Sequence, residues 1–190
     1  EDEIKDGTIA ISFIKPISYR LRFLFTTLGQ CFATNVLLGL PIFVILYVVF
    51  VKLKFIVIQS VSIFIVNILL FLLNQFFAIV MFDCVAYFCG VLCFYTNAGW
   101  GINQAKNVII KFLSGAVIPI SFFPEVLQKI INVLPFSGFV SNPVSILLMK
   151  NSFAESIEIS LKNFAWMILL ELVAKIVFNH ASKKVTVQGG

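Results

Sequence analysis

Charged side chains are scarce in this chain. Aspartate, glutamate, lysine and arginine make up 12% of its 190 residues, whereas a soluble domain typically has about 25%. Histidine occurs once, at His180, and the sequence has no Gly-Lys-Ser/Thr pattern of a phosphate-binding loop. The four cysteines form no Cys-x-x-Cys pair. These shortages argue against a soluble fold, a nucleotide site within the chain and the acid, base or metal cluster of an intramembrane enzyme, so we assign no catalytic residue, cofactor or metal ligand.

The chain is rich in apolar residues where a soluble protein would have charged ones. They account for 60% of the chain, including 22 phenylalanines, and the mean hydropathy is +1.03. The net charge of +5 is spread over basic residues that mostly flank apolar runs. That pattern is typical of topology anchors and contacts with anionic lipid rather than of nucleic-acid binding. The composition therefore predicts an all-α, polytopic bundle of membrane helices.

The apolar runs define the expected spans. Residues 23–51 are enough for one tilted helix, and Pro41 should kink it. Residues 55–95 are about twice as long as one span needs, so either they fold back as two spans or part of them lies outside the membrane. A charge at Asp83 is costly in lipid, which favours a break in the helix between Asn74 and Asp83. An ion-binding Asp83 is a second interpretation.

Polar side chains inside the apolar runs are candidate pathway residues. Four of them share one third of a helix surface: Gln59, Ser60, Asn67 and Asn74. Two interpretations stay open, hydrogen bonding between helices and the lining of a wet path, and for the path we single out Asn67 and Asn74. Glu171 and Lys175 stand four residues apart, a spacing that favours an ion pair, with a role in substrate passage as the alternative.

Residues 112–135 combine a broken helix with a short amphipathic one. Ser114-Gly115 and Pro119 disfavour helix continuation, and Pro124 suits the first position of a new helix. The apolar face of that helix comprises Val126, Leu127, Ile130, Ile131 and Leu134. Such a piece is too short to cross a bilayer, but it can lie in its surface or dip in and return. We therefore expect a re-entrant or interfacial segment before the last span.

Further helix-end signals follow this segment. Asn142 can cap and Pro143 can start a short helix. Ser152, with Glu155 three residues on, predicts a capping box that opens a long helix. The apolar second half of that helix, residues 164–178, predicts the last span.

The order of these features resembles that of permeases of type-2 ATP-binding cassette (ABC) exporters. In that family a Ser-Gly and two prolines before a short amphipathic helix close the outer side of the pathway. The matching residues here are Ser114, Gly115, Pro119 and Pro124. Further matches in the family's order are Leu134-Pro135-Phe136, Pro143, Trp166 and the ending over residues 183–190.

The start of the chain also resembles this family. Asp6-Gly7 and residues 14–19 are similar to the cytoplasmic segment that touches the ATPase subunit. The resemblance implies a coupling helix that contacts the ATPase through Lys15, Pro16, Ser18, Tyr19 and Arg20. Composition alone allows a second interpretation, a solvated linker. Family members usually carry two more spans ahead of this segment, so we expect the sequence to be a fragment that lacks them.

The expected division of the chain follows from the runs and the resemblance together. It comprises a cytoplasmic coupling segment at 1–22, transmembrane helices at 23–120, external re-entrant or interfacial helices at 121–150, a last transmembrane helix at 151–180 and a cytoplasmic tail at 181–190. The number of spans within residues 55–118 stays open. An even number is expected, with both ends in the cytoplasm.

The resemblance implies a function in transport. The chain would be the membrane-spanning subunit of an ABC exporter in the bacterial cytoplasmic membrane. Its partners would be a separate ATPase subunit, a second permease subunit in a homodimer or heterodimer, and membrane lipid, but no nucleic acid. It would not be an enzyme itself, because ATP hydrolysis would occur on the ATPase. The alternative is an ion-coupled carrier or an accessory membrane subunit without an ATPase partner, and the sequence does not identify the substrate.

Overall fold

The computed structural model describes residues 19–53, 61–92 and 99–181, and every regular element in these ranges is helical. The α-helices are α1 (Tyr19–Thr34), α2 (Leu40–Lys52), α3 (Val61–Leu92), α4 (Gly99–Leu113), α5 (Glu125–Val133), α6 (Phe136–Phe139), α7 (Ser141–Leu147) and α8 (Phe153–Ala181). A π-helix (Asn35–Gly39) joins α1 to α2, and a 3-10 turn (Ile120–Phe122) precedes α5. The predicted all-α fold is confirmed.

The π-helix lies directly before Pro41, the residue that the sequence marks as a kink. Proline has no backbone N–H and clashes with the carbonyl four residues earlier, so a regular helix cannot pass through it unchanged. Here Leu40 donates its N–H to the carbonyl of Asn35, five residues back. The wider turn therefore accommodates Pro41 while the helix continues.

Helix α3 is one continuous helix of 32 residues, about 48 Å long. The expected break between Asn74 and Asp83 was therefore wrong. The argument for it was that a lone carboxylate in an apolar helix needs water. Asp83 has a cationic partner instead, Arg20 of α1, which removes the reason for a break.

Helix α3 is the centre of the fold and packs against α1, α4, α6, α7 and, over the greatest length, α8. The residues that face α1 and α8 repeat at the spacing of a coiled-coil seam. They are Val80, Cys84, Tyr87 and Val91, and they form one core cluster with Ala174 of α8. Phe23 and Leu24 of α1 pack against this cluster.

A second core cluster brings three other elements onto α3. Met81 of α3, Ile110 of α4 and Phe139 of α6 are all buried in it, and Trp166 of α8 packs against them. The short helices after α4 therefore fold back onto the middle of α3 and α8. This arrangement positions the two polar groups described below.

Many large apolar side chains on the outside of the bundle remain exposed, among them Phe32 at 71% and Leu37 at 72%. Two helical segments of the described residues are long and apolar enough to be candidate membrane spans, Arg20–Ile45 and Ser62–Leu92. Helix α8 has 29 residues and carries Glu171 and Lys175 in its apolar part. Its crossing of the membrane stays a prediction.

Candidate functional site

Arg20, near the start of α1, lies at the centre of a group of charged and polar side chains that are buried or partly buried. Its guanidinium donates through Nε and Nη2 to the two carboxylate oxygens of Glu171 on α8, at 3.2 and 2.6 Å. Its Nη1 donates to Oδ2 of Asp83 on α3. The Cys84 sulfur accepts from Nη2 at 3.2 Å, and the thiol donates to Glu171 at 3.1 Å. We call Arg20, Asp83, Cys84 and Glu171 the charge cluster.

The charge cluster contains more negative than positive charge. Arg20 is 9% exposed and Asp83 only 1%, so both are largely removed from solvent. One guanidinium serves two carboxylates, and Oδ1 of Asp83 is buried without a hydrogen-bond partner within the described ranges. The face of the Tyr87 ring adds a cation–π contact, 5.1 Å from the guanidinium carbon. Arg20 thus compensates the buried Asp83 and the partly exposed Glu171.

The sequence suggests other partners for these residues. The resemblance implies a contact of Arg20 with an ATPase, which stays a prediction, and the structure directs this side chain at the charge cluster. The sequence predicts that Glu171 pairs with Lys175, whereas Glu171 pairs with Arg20 and Lys175 is exposed. A charge in an apolar helix signals a need for a partner. The signal does not identify that partner, because Arg20 and Glu171 are 151 residues apart.

The structure says little about the other residues that are predicted to contact the ATPase. Lys15, Pro16 and Ser18 lie outside the described ranges, and Tyr19 is the first residue of α1. Their contact with an ATPase stays a prediction. The described part of α1 starts at Tyr19, the residue directly before Arg20 of the charge cluster.

A second buried polar group, which we call the amide cluster, consists of Asn74, Asn142, Ser160 and Asn163. Asn74 donates to Ser160 Oγ at 2.7 Å and accepts from Asn163 at 2.8 Å. Asn142 of α7 donates to the amide oxygen of Asn163 at 3.2 Å. The cluster therefore joins α3, α7 and α8 by side-chain hydrogen bonds. For Asn74 the interpretation as a link between helices is confirmed.

Gly138 of α6 lies against the amide cluster. A Cβ atom at this position would lie 2.7 Å from Oδ1 of Asn163 and 3.1 Å from Cε of Met81. Contacts of 2.7 Å are shorter than van der Waals packing permits, so only glycine fits here without a rearrangement. This close approach brings α6 onto α3 and α8. No local sequence pattern indicates that glycine is required at position 138.

Asn67, the other predicted pathway residue, bonds within its own helix. Its amide donates to the carbonyl of Ile63 at 2.9 Å, and the residue is 8% exposed. Asn74 is completely buried. Both residues thus lie on the interior side of α3. A role of either in lining a path stays a prediction, and it would require α3 and α8 to separate.

Ser114 and Gly115 end α4, as the sequence predicts. Gly115 has φ +83°, the left-handed conformation in which glycine commonly terminates a helix. Ser114 is completely buried, and its carbonyl accepts from the N–H of Ser141 at 3.2 Å. This bond ties the end of α4 to the start of α7. A Cβ at Gly115 would lie 3.2 Å from Ile120.

The segment between the prolines forms the predicted amphipathic helix, α5. Pro124 caps this helix rather than occupying its first turn, since Glu125 is the first helical residue. Ile131 is 1% exposed on the packed face, whereas Val126 remains 72% exposed. Trp166 of α8 donates its indole N–H to the carbonyl of Val133 at 2.9 Å. The C-terminal end of α5 is therefore attached to α8.

The helix-end signals after this segment were partly confirmed. Ser152 and Glu155 form the predicted capping box: the N–H of Ser152 donates to the Glu155 carboxylate at 2.7 Å, and the N–H of Glu155 donates to Ser152 Oγ at 3.3 Å. The predicted start of α7, with Asn142 as the cap and Pro143 as the first residue, was wrong. This helix begins at Ser141, and Asn142 bonds to Asn163 instead of capping it. Tertiary hydrogen bonding overrides the local cap.

Helix α4 has an exposed polar side. Asn103, Gln104 and Lys111 lie within about one third of its circumference, and all three are exposed. Trp100 is 73% exposed at the start of the helix. Lipid chains offer no hydrogen bonds to such a side, so it suits water or another chain better.

Comparisons with known proteins were made over the whole sequence. Residues 1–189 match the family model described as ABC-2 family transporter protein. Neither the search of curated proteins nor that of solved structures found a match. The matched range contains every helix described above, both polar clusters and the segment between the prolines.

Proposed function

Because this chain belongs to the ABC-2 transporter family and is a permease component of an ABC transporter, we propose that it exports its substrate with energy from a separate ATPase subunit. The observation that carries the proposal is the family match over residues 1–189, nearly the whole chain. The exporter direction and the ATPase partner are the parts that we add.

Two features of the fold support a membrane subunit. Two segments of the described residues are candidate spans, and a group of short helices, α5 to α7, folds back beside α8. Irregular backbone at membrane depth is tolerated only where protein or water covers it. In our proposal this group and the segment before it, which contains Ser114, Gly115, Pro119 and Pro124, close the outer side of the pathway.

The proposed path runs between two permease subunits. The exposed polar side of α4 supports this, because Asn103, Gln104 and Lys111 are better satisfied by water or by polar groups of another chain than by lipid. The second subunit is either another copy or a related chain. ATP binding would draw the two ATPase subunits together, and the coupling segment at residues 1–22 would carry the displacement into the helices.

The proposed location is the bacterial cytoplasmic membrane, with several spans and both ends in the cytoplasm. In this arrangement α1 and α4 lead outward, and α3 and α8 lead inward. The pairing of Arg20, near the start of α1, with Asp83 and Glu171, in the C-terminal halves of α3 and α8, agrees with it. Reporter fusions after residue 92 and after residue 150 test it, with a cytoplasmic signal expected from the first and an external one from the second.

The test of the proposed function is co-purification in detergent of the full-length permease with the ATPase subunit encoded beside it. A second variant carries Lys15→Ala and Tyr19→Ala, and a control carries Lys150→Ala in the external segment. We expect the ATPase to co-purify with the unaltered permease and with the control, and to be lost from the double variant.

Failure of the ATPase to bind the folded, unaltered permease would overturn the exporter proposal. The ion-coupled carrier or accessory subunit would then be preferred, since neither needs an ATPase. Binding that Lys15→Ala and Tyr19→Ala leave unchanged would keep the transporter but remove residues 1–22 as the coupling segment.

A further inference from the structure

The position of Arg20 is better suited to passing a displacement between helices than to contacting another protein. Its side chain is only 9% exposed, and its donors are directed at Asp83, Cys84 and Glu171. A guanidinium used in this way has little surface left for another protein. It lies, however, in the first turn of α1, directly after the segment that we propose to contact the ATPase.

The charge cluster connects three helices at one point. Arg20 belongs to α1, Asp83 and Cys84 to α3, and Glu171 to α8. The planar guanidinium binds both carboxylate oxygens of Glu171 in a fork, which fixes orientation as well as distance. Removal of either acid would not free α1, because the other acid still holds the same guanidinium.

Apolar contacts support the same junction. Phe23, one turn along α1, packs against the core cluster that includes Tyr87, with the two ring centroids 6.1 Å apart. The guanidinium lies over the same Tyr87 ring. Beyond this region α1 and α2 present mostly exposed side chains, so the start of α1 is where this helix is firmly attached to the core.

We propose that Arg20 is the positioning residue through which displacement of the preceding segment reaches α3 and α8. The charge cluster acts as a rigid tie, so that the first turn of α1 moves with α3 and α8 as one body. This inference rests on the proposed function, because the displacement comes from the ATPase. Residues 1–22 then have two roles: the residues up to Tyr19 contact the ATPase, and Arg20 passes their displacement on to α3 and α8.

The variants for the test remove the tie without leaving an unpaired buried charge. The neutral variant carries Arg20→Met, Asp83→Asn and Glu171→Gln. A conservative variant, Arg20→Lys, keeps the charge but not the fork. The matched control is Lys175→Met, which removes an exposed charge one turn after Glu171 on the same helix.

The measurement is a distance between spin labels on α1 and α8, in the full-length complex with its ATPase in lipid nanodiscs. The labels replace Phe25 and Leu172, both largely exposed, at 65% and 55%. The native cysteines are changed to serine, whose hydroxyl can still donate at position 84. Distances are recorded without nucleotide and with ATP trapped by vanadate.

For the unaltered complex and for Lys175→Met, we expect the same distance between the labels with and without trapped nucleotide. In the neutral variant, trapping should shift and broaden the distance while the ATPase still co-purifies, and Arg20→Lys should fall between. A merely structural role of Arg20 would not make the distance depend on nucleotide.

Two results would overturn the tie: a neutral variant indistinguishable from the unaltered complex in both states, or an unaltered complex whose own distance changes on trapping. Loss of the proposed function is distinguishable from either, because the ATPase then fails to bind the unaltered permease. In that event the distances recorded without nucleotide test the tie. A broader distribution in the neutral variant than in the unaltered permease supports it, and identical distributions reject it.

Discussion

The substitution Gly138→Ala tests directly whether α6 packs closely against α3 and α8. The added methyl would lie 2.7 Å from Asn163 Oδ1 and 3.1 Å from Met81 Cε. Met81 is fully buried, and Asn163 is held by hydrogen bonds to Asn74 and Asn142. Neither neighbour can move without losing contacts, so we expect the substitution to destabilise the fold.

The size of the effect follows from two contributions. Adding a methylene-sized group to a packed interior costs about 1–3 kcal/mol. Displacement of Asn163 would also weaken a buried hydrogen bond that is worth about 1 kcal/mol. The expected loss in the free energy of unfolding is thus about 2–4 kcal/mol. For a chain of this size, that lowers the Tm by about 4–16 °C.

Gly29→Ala is the matched control. Gly29 lies inside α1, and a Cβ there would meet nothing within 4 Å. Alanine in an open helical position stabilises by about 0.5–1 kcal/mol relative to glycine, because it restricts the unfolded chain. The same substitution is therefore expected to raise the Tm at residue 29 and to lower it at residue 138. The assay is thermal unfolding in detergent, followed by tryptophan fluorescence.

Trp166 makes this fluorescence informative, since its indole N–H is bonded to Val133 next to α6. A Gly138→Ala variant as stable as the Gly29→Ala variant would refute the close packing of α6. Combining Gly138→Ala with Asn163→Ala supplies a further check. If the clash is with Asn163, the two losses in stability should be less than additive.

Three further predictions concern helix ends and the charge cluster. Arg20→Met alone should reduce stability by about 3–5 kcal/mol, because it leaves Asp83 and Glu171 without their cation, and the additional Asp83→Asn and Glu171→Gln changes should restore most of the Tm. Gly115→Ala should cost about 1–2 kcal/mol because φ is +83°, and an unchanged Tm would mean that α4 ends differently. Ser152→Ala should cost about 0.5–2 kcal/mol through loss of the capping box, measured by the same unfolding assay against Lys150→Ala as control.

The sequence predicted the parts of the fold that depend on neighbouring residues. The helical class, the end of α4 at Gly115, the amphipathic α5 and the capping box at Ser152 were all confirmed. Each depends on backbone preference or on side chains within a few residues. The resemblance to ABC-2 permeases, which rests on the order of such local features, was confirmed by the family match.

The errors arose where distant residues decide the structure. The break before Asp83 and the pairing of Glu171 with Lys175 were inferred from charges along one helix. Their real partner, Arg20, comes from another helix. Asn142 was taken for a cap, but its amide bonds to Asn163 in α8. Periodicity places a residue on a face, but it does not say which element will cover that face.

The charge cluster also has a consequence for the order in which the protein is made. Arg20 and Asp83 are 63 residues apart, whereas Glu171 follows Arg20 by 151 residues. At the usual rate of synthesis, roughly 8–30 s pass between the translation of Arg20 and that of Glu171. During this interval Arg20 and Asp83 can form a pair with balanced charge. Glu171 then arrives with α8 and adds the excess negative charge only when the last helix docks.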